Sequence, residues 1–221
     1  MNLLEKSVSY STTNSYDTLN TLSKTTKNIW IVLHGIGYLS RYFLRHFEEL
    51  PSHENYIIAP QAPSKYYLNT SYTRVGASWL TKEDTAREVE NDLAYLEAVV
   101  QKENILDGGV LPGDYKLIVL GFSQGVSIAT RWVSKHQIPC SHLVLYAGGI
   151  PNELKPSDFE FLMRNQCQVK ILVGDKDEYL TAERRKRESA KIQRLFGGRA
   201  EEIVFEGGHE MKPELINALI L

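Results

Sequence analysis

The chain has 221 residues, of which 43% are hydrophobic, 24% charged and 10% aromatic; this is enough for a well-packed core and excludes disordered, collagen-like and coiled-coil chains. With 25 Lys and Arg against 27 Asp and Glu, a formal net charge of −2, there is no whole-protein field to hold a polyanion, so no nucleic-acid partner is expected. The length suits a single domain over residues 1–221.

In chain order, residues 1–27 come first. Their Ser, Thr and Asn content suggests an edge hairpin or a loose arm, with one or two short strands before Asn20. The opening MNLLEKSVSY has no basic region followed by an apolar one, and the longest apolar runs, Ile29–Leu33 and Leu117–Leu120, are too short to span a bilayer. A cytoplasmic protein with no stable membrane insertion is expected. From Asn28 onward, β-branched runs alternate with helical patterns, the signature of an α/β protein with a mainly parallel central sheet and helices on both faces. The strand runs are 29–33, 56–59, 116–120, 142–146, 169–173 and 202–205. Between them, Thr85–Gln101 sets Val89, Leu93, Leu96 and Val100 on one helical face, with Thr85 and Glu88 as a capping box. A helix over Gln124–His136 buries Ile128, Ala129, Trp132 and Val133. Shorter helices fit 41–50, 157–164 (with a Ser157/Glu160 capping box), 181–196 and 212–219. The basic run Arg184–Arg187, flanked by Glu183 and Glu188, reads as a solvated helix face. Cys140 and Cys167 have neither metal-ligand nor redox spacing and read as reduced packing residues.

The chemistry concentrates in Gly121-Phe122-Ser123-Gln124-Gly125, a G-x-S-x-G pattern directly after a strand and before a helix. In that context it describes a nucleophile elbow, whose sharp turn strains the Ser backbone and needs glycines on both sides. The competing use of such a turn, phosphate binding at a helix N-terminus, requires a G-x-G-x-x-G or P-loop pattern that is absent. A serine hydroxyl needs a base to accept its proton and a third group to fix the tautomer of that base. In the order Ser, acid, His, each at a strand end, the base is His209 in Glu206-Gly-Gly-His209. The acid comes from Gly174-Asp175-Lys176-Asp177-Glu178. Asp177 is preferred because it lies far enough past the strand to turn towards the base, whereas Asp175 suits turn capping. An oxyanion hole needs two N–H donors. Gln124, the residue after the nucleophile, supplies one; the turn Leu33-His34-Gly35-Ile36-Gly37 supplies the other through Ile36, with Gly37 as the alternative.

Taken together, His34-Gly-Ile-Gly37, Ala59-Pro-Gln-Ala-Pro63, Ser78-Trp79, the elbow, Gly174-Asp-Lys-Asp177 and Gly208-His209-Glu210 occur in the order found in small α/β-hydrolases. The chain resembles the carboxylesterase, lysophospholipase and acyl-protein thioesterase family of that fold over about residues 28–220. The resemblance implies Ser123, Asp177 and His209 as a catalytic triad, Ile36 and Gln124 as oxyanion donors, and hydrolysis of a small-molecule ester or thioester through an acyl-enzyme, without metal or organic cofactor. The same triad also serves acyltransferases and peptidases, and the fold occurs in non-catalytic binding proteins. Two departures stand out: Tyr38 occupies a position where the family usually has Asp, and Glu178-Tyr179-Leu180 replaces the usual Pro- and Val-rich sequence.

The connection from Tyr146 to Val169 is too short for a cap domain, so an open cleft is expected. Its wall should come from the long connection Gln61–Asp84, which carries Tyr66, Tyr67, Leu68, Tyr72, Val75 and Trp79, about half of them packing on the sheet. Tyr38, Tyr72, Trp79 and Tyr179 are the candidate substrate-binding residues, for a small to medium acyl group. A monomer or homodimer is expected.

Overall fold

The computed structural model describes residues 3–106 and 114–219. A run that is apolar on both faces of an extended chain is stable only where both faces are covered, and the central strands obey this. Strand β1 (Tyr16–Leu19) is followed by β2 (Asn28–Leu33), α1 (Ser40–Phe43) with a 3₁₀ turn over Leu44–Phe47, and β3 (Asn55–Pro60). A short hairpin follows, β4 (Ser64–Tyr67) and β5 (Val75–Ser78), then α2 (Thr85–Glu103), β6 (Lys116–Phe122), α3 (Gln124–His136) and β7 (His142–Tyr146). The chain continues through a 3₁₀ turn at Pro156–Phe159, α4 (Glu160–Arg164), β8 (Gln168–Gly174), α5 (Ala182–Phe196), β9 (Ala200–Phe205) and α6 (Pro213–Ala218).

Seven strands form one sheet in the order β1-β3-β2-β6-β7-β8-β9. All neighbours are parallel except the edge pair β1 and β3, in which Tyr16 lies opposite Pro60 and Leu19 opposite Ile57. Alternation along β2 assigns the core to two layers. Ile29, Ile31 and Leu33 face a cluster completed by Leu93 and Leu96 of α2, Ile128 and Trp132 of α3, and Leu195 and Phe196 of α5. Trp30 and Val32 face the opposite layer, built with Phe43, Phe47 and Ile216. The chain runs from β2 outward to β3 and later returns to place β6 on the other side of β2, so the strand order reverses there. Ligand sites in such sheets lie at the carboxyl ends beside that reversal. The loops after β2 and β6 meet at this place.

Several expectations need correction. Before β2 the described residues supply the one edge strand β1, within the one or two expected, rather than a hairpin; its backbone is tied down by Gln61 N–H and the Tyr95 hydroxyl, both donating to Ser15 O. The connection 61–84 contains the β4–β5 hairpin, not foreseen because β4 is exposed throughout and has no apolar alternation. Its turn is held by Asn69, whose side-chain oxygen accepts from Thr73 and Arg74 N–H. Neither expected capping box forms. Glu88 instead accepts from both N–H and hydroxyl of Thr81, because the chain preceding α2 folds back over its first turn. At the start of the Pro156 turn it is Asp158 that accepts from Lys155 N–H, at 2.7 Å. The helix foreseen over 41–50 is split, α1 passing into the 3₁₀ turn. Cys140 and Cys167 are free thiols, as expected, and their sulfurs lie 3.6 Å apart. No helix among the described residues is long and apolar enough to cross a membrane.

Candidate active site

The elbow is made by steric necessity. Ser123 has φ 53° and ψ −116°, a conformation disfavoured for a residue with a side chain, of the sort that costs about 1–3 kcal/mol. It is held by its N–H, which donates to Tyr146 O at 2.8 Å, and by its carbonyl, which accepts from Val126 N–H at 3.1 Å. A Cβ at Gly121 would sit 2.5 Å from Gly125 O, and one at Gly125 would press still closer on Leu33 O. Strand β6, helix α3 and strand β2 can therefore converge only with glycine at both positions.

Three side chains from three strand ends meet at this turn. His209, in the loop after β9, has Nε2 2.9 Å from Ser123 Oγ and Nδ1 2.8 Å from Asp177 Oδ2. The Asp177 side chain is only 3% exposed and that of His209 15%. The second Asp177 oxygen accepts from Tyr179 N–H at 2.9 Å, which fixes the carboxylate plane. The imidazole lies between Phe122 and Tyr179, with ring centroids at 5.2 and 4.8 Å. Asp175 is engaged elsewhere, its Oδ1 accepting from Gly207 N–H at 2.9 Å. It caps the loop that carries His209, not its own turn as expected from sequence.

The turn after β2 is anchored by His34, which is fully buried. Its Nε2 accepts from Ala62 N–H at 3.1 Å, so the ring proton is on Nδ1 and is donated to Gly35 O at 2.8 Å. Burial pushes this histidine down to about 4, keeping it neutral in that tautomer. The turn rests on Ser123, since a Cβ at Gly35 would stand 3.0 Å from that of Ser123. Gly37 N–H donates to Ala77 O in β5 at 2.8 Å and is thus committed to the hairpin, which removes it as an alternative oxyanion donor. Ile36 and Gln124 N–H have no protein acceptor among the described residues.

Of the four expected substrate-binding residues, two stand at the site. Tyr179 packs against His209 and is 58% exposed. Tyr38 is half-buried, edge-on to Phe43, His46 and Phe122, and lines a cleft beside Ile36. The other two lie elsewhere. Trp79 is in the core, its indole N–H donating to His34 O at 2.8 Å, because the chain leaving β5 dives under the turn after β2. Tyr72, at the hairpin tip, packs edge-on against Tyr67, with ring centroids 5.0 Å apart. A feature not foreseen is the Gln124 side chain. Its Oε1 accepts from Trp79 N–H at 2.8 Å and its Nε2 donates to Leu80 O at 2.7 Å and Ser78 Oγ at 3.0 Å, latching the elbow to the segment after β5. The Ser78-Trp79 pair with a Gln in the elbow was the available sequence signal.

The family model for phospholipases and carboxylesterases matches residues 16–220. The chain belongs to the phospholipase/carboxylesterase family. It is thus a member of a hydrolase family, with the α/β-hydrolase fold. No curated protein matches it in sequence. Among solved structures, acyl-protein thioesterase 2 of Zea mays superposes with TM-score 0.67 at 18% identity, over 94% of this chain and 96% of that one. A phospholipase/carboxylesterase from Dyadobacter fermentans gives 0.63 at 20% identity, over 96% and 98%. Esterase PE8 gives 0.64 at 20% identity, over 95% and 98%. At these identities the superpositions speak for the fold. Tyr38 packs against Phe122 and Tyr179 against His209, so both departures adjoin the site. A small space of about 40 Å³ lies beside Asp177, Tyr179 and Leu180, and the cleft beside Ile36 and Tyr38 measures about 690 Å³.

Proposed function

We propose that the protein is a serine carboxylesterase, extending to thioesters, acting on small to medium acyl groups through Ser123, His209 and Asp177. The observation that carries the reading is the unbroken chain Ser123 Oγ, His209, Asp177, at 2.9 and 2.8 Å, on a strained strand-to-helix turn. Asp177 fixes Nδ1–H of His209, leaving Nε2 as acceptor towards the hydroxyl. As Oγ attacks the carbonyl carbon, its proton passes to Nε2, and the oxygen taking up negative charge is met by the N–H groups of Ile36 and Gln124. Donors that are already fixed cost no reorganisation as charge develops, which is why such a pair is worth about 10²–10³ in rate per donor. Collapse of the tetrahedral species returns the proton from Nε2 to the departing alkoxide or thiolate and leaves an acyl group on Ser123. Water then attacks that ester, His209 again taking the proton, and the free acid leaves.

The test is a panel of 4-nitrophenyl esters from acetate to palmitate, beside the matching acyl thioesters. The expected result is turnover of short and medium esters that is abolished in Ser123→Ala. Activity that survives in Ser123→Ala, or a folded protein that cleaves nothing in the panel, would sink the reading. Accumulation of ester in place of acid when an alcohol is supplied would favour acyl transfer.

A further inference from the structure

The cleft beside the oxyanion turn has a charge character that the whole chain does not share. Its lining comes from two segments, residues 36–42 and 68–75, which carry Arg41 and Arg74; Lys65 and Arg45 lie just outside them, and Glu48 and Glu49 follow beyond Arg45. The lining segments hold not one Asp or Glu, in a chain whose net charge is −2. None of the three arginines takes part in an ion pair among the described residues. The acid from outside that approaches α1, Asp17, accepts a hydrogen bond from Ser40 at 2.5 Å. A cleft lined by one sign of charge focuses the field and concentrates counter-ions.

Geometry connects this charge to the turn that carries Ile36. The floor of the 690 Å³ cleft is Ile36, Gly37 and Tyr38; Arg41 lines it from α1, and Arg74 from the strand-bearing hairpin with Leu68. The arginine of α1 is partly preorganised. The guanidinium of Arg41 lies 4.8 Å from the centre of the Tyr42 ring, and that of Arg45 lies 5.1 Å from it, so cation–π stacking restrains both side chains. The hairpin wall is fixed too, since Gly37 N–H is bonded to Ala77 O and Arg74 N–H to the Asn69 side chain. A substrate carbonyl at Ile36 N–H therefore has one substituent leading over Gly37 and Tyr38 towards guanidinium groups with no carboxylate to neutralise them. Such forks match the paired oxygens of an anion.

The geometry points to a substrate that carries a negative charge: an ester or thioester with an anionic group, held by Arg41 and Arg74 while its carbonyl occupies the site at Ser123. This rests on the serine hydrolase reading given above. The anion can belong to the acyl half or to the alcohol half, and both are tested. For the acyl half, 4-nitrophenyl hemiglutarate is compared with 4-nitrophenyl hexanoate. For the alcohol half, the butyryl ester of 3-hydroxypropanoate is compared with propyl butyrate in a pH-stat. One charge-assisted contact made only by the charged substrate is worth about tenfold or more. In the native protein the charged member of at least one pair is expected to have the higher kcat/KM by about that factor, less so as salt is raised. In the double variant Arg41→Gln/Arg74→Gln that ratio should fall close to one, while Arg41→Lys/Arg74→Lys retains part of it. These side chains are on the surface, so the variants should fold. Cleavage of the neutral esters with both ratios near one, or ratios that the Gln variants leave unchanged, would overturn this inference alone. Cleavage of no ester by the native protein would overturn the hydrolase reading and this inference with it.

Discussion

Asp92, on the sheet-facing side of α2, is 1% exposed and neither of its carboxyl oxygens has a hydrogen-bond partner among the described residues. Burial, with the Glu88 carboxylate adding to it, pushes its pKa up from 3.8 to about 8. The native state thus keeps a proton that the unfolded chain releases near pH 3.8. Stability must then fall as pH rises above that value and level off only beyond about 8, at a slope of about 1.4 kcal/mol per pH unit for one proton. Two buried histidines oppose this at lower pH. His34 and His142 are pushed down to about 4, mainly by burial, so they add stability that is lost as pH falls from about 6.5 towards 4. Near pH 6.5 the unfolded chain still protonates these histidines, and His46, which burial also pushes down, in part, but they do so equally in native protein and Asp92 variant, so over pH 6.5–7.5 the difference between the two proteins isolates Asp92. Asp92→Asn keeps the shape and removes the titration. Summed from pH 3.8 to 7 the ionisation difference reaches about 4 kcal/mol, reduced by the cost of the unpaired amide that Asn leaves buried. Urea unfolding followed by tryptophan fluorescence at pH 6.5, 7.0 and 7.5 measures it. Relative to the native protein, Asp92→Asn is expected to gain about 1 kcal/mol from pH 6.5 to 7.5 and to be the more stable of the two at pH 7.5. Parallel pH dependence in both proteins would refute the reasoning.

The two acids of the loop after β8 should separate cleanly. Asp177→Asn presents an amide to His209 Nδ1 and is expected to lower kcat by about 10⁴, as when a triad acid loses its charge. Asp175→Asn, which only weakens the cap on Gly207 N–H, should change kcat by less than about tenfold. Steady-state rates on one short ester decide it, and the reverse pattern would reassign the acid. Gln124→Ala keeps the backbone donor but cuts the latch to Ser78, Trp79 and Leu80. Loss of roughly two to three hydrogen bonds at about 1 kcal/mol each should lower the urea midpoint and, through the displaced turn, reduce kcat more than it raises KM. Unchanged stability would show that the latch carries no load.

The sheet was legible because a strand covered on both faces must be a continuous apolar run: Ile29–Leu33, Leu117–Leu120 and His142–Tyr146 can hardly be anything else between turn signals. The β4–β5 hairpin was not, since Ser64–Tyr67 faces solvent and is held by pairing and by the Asn69 turn rather than by burial. Capping patterns misled for a related reason. A Glu three residues into a helix can satisfy any nearby N–H, and Thr81, brought back by the chain before α2, is closer to Glu88 than the foreseen partner. At the site, Ser123 and His209 could be named from motif and chain order. Asp177 is preferred for its distance past the strand; what spacing does not encode is the contact that engages Asp175, its acceptance from Gly207 N–H across two loops. Trp79 and Tyr38 were equally aromatic and equally close in sequence to candidate walls. Only the path of the chain after β5 buries one and leaves the other facing the cleft.

The central claim is that the Ser123 hydroxyl, activated by His209, is the nucleophile. Incubating the folded protein with a fluorophosphonate and locating the adduct by peptide mass spectrometry tests it most directly. The account predicts one adduct, on Ser123, formed quickly in the native protein and at a rate reduced by orders of magnitude in His209→Ala. No adduct on folded protein, an adduct on another serine, or labelling of Ser123 that is indifferent to His209 would contradict it.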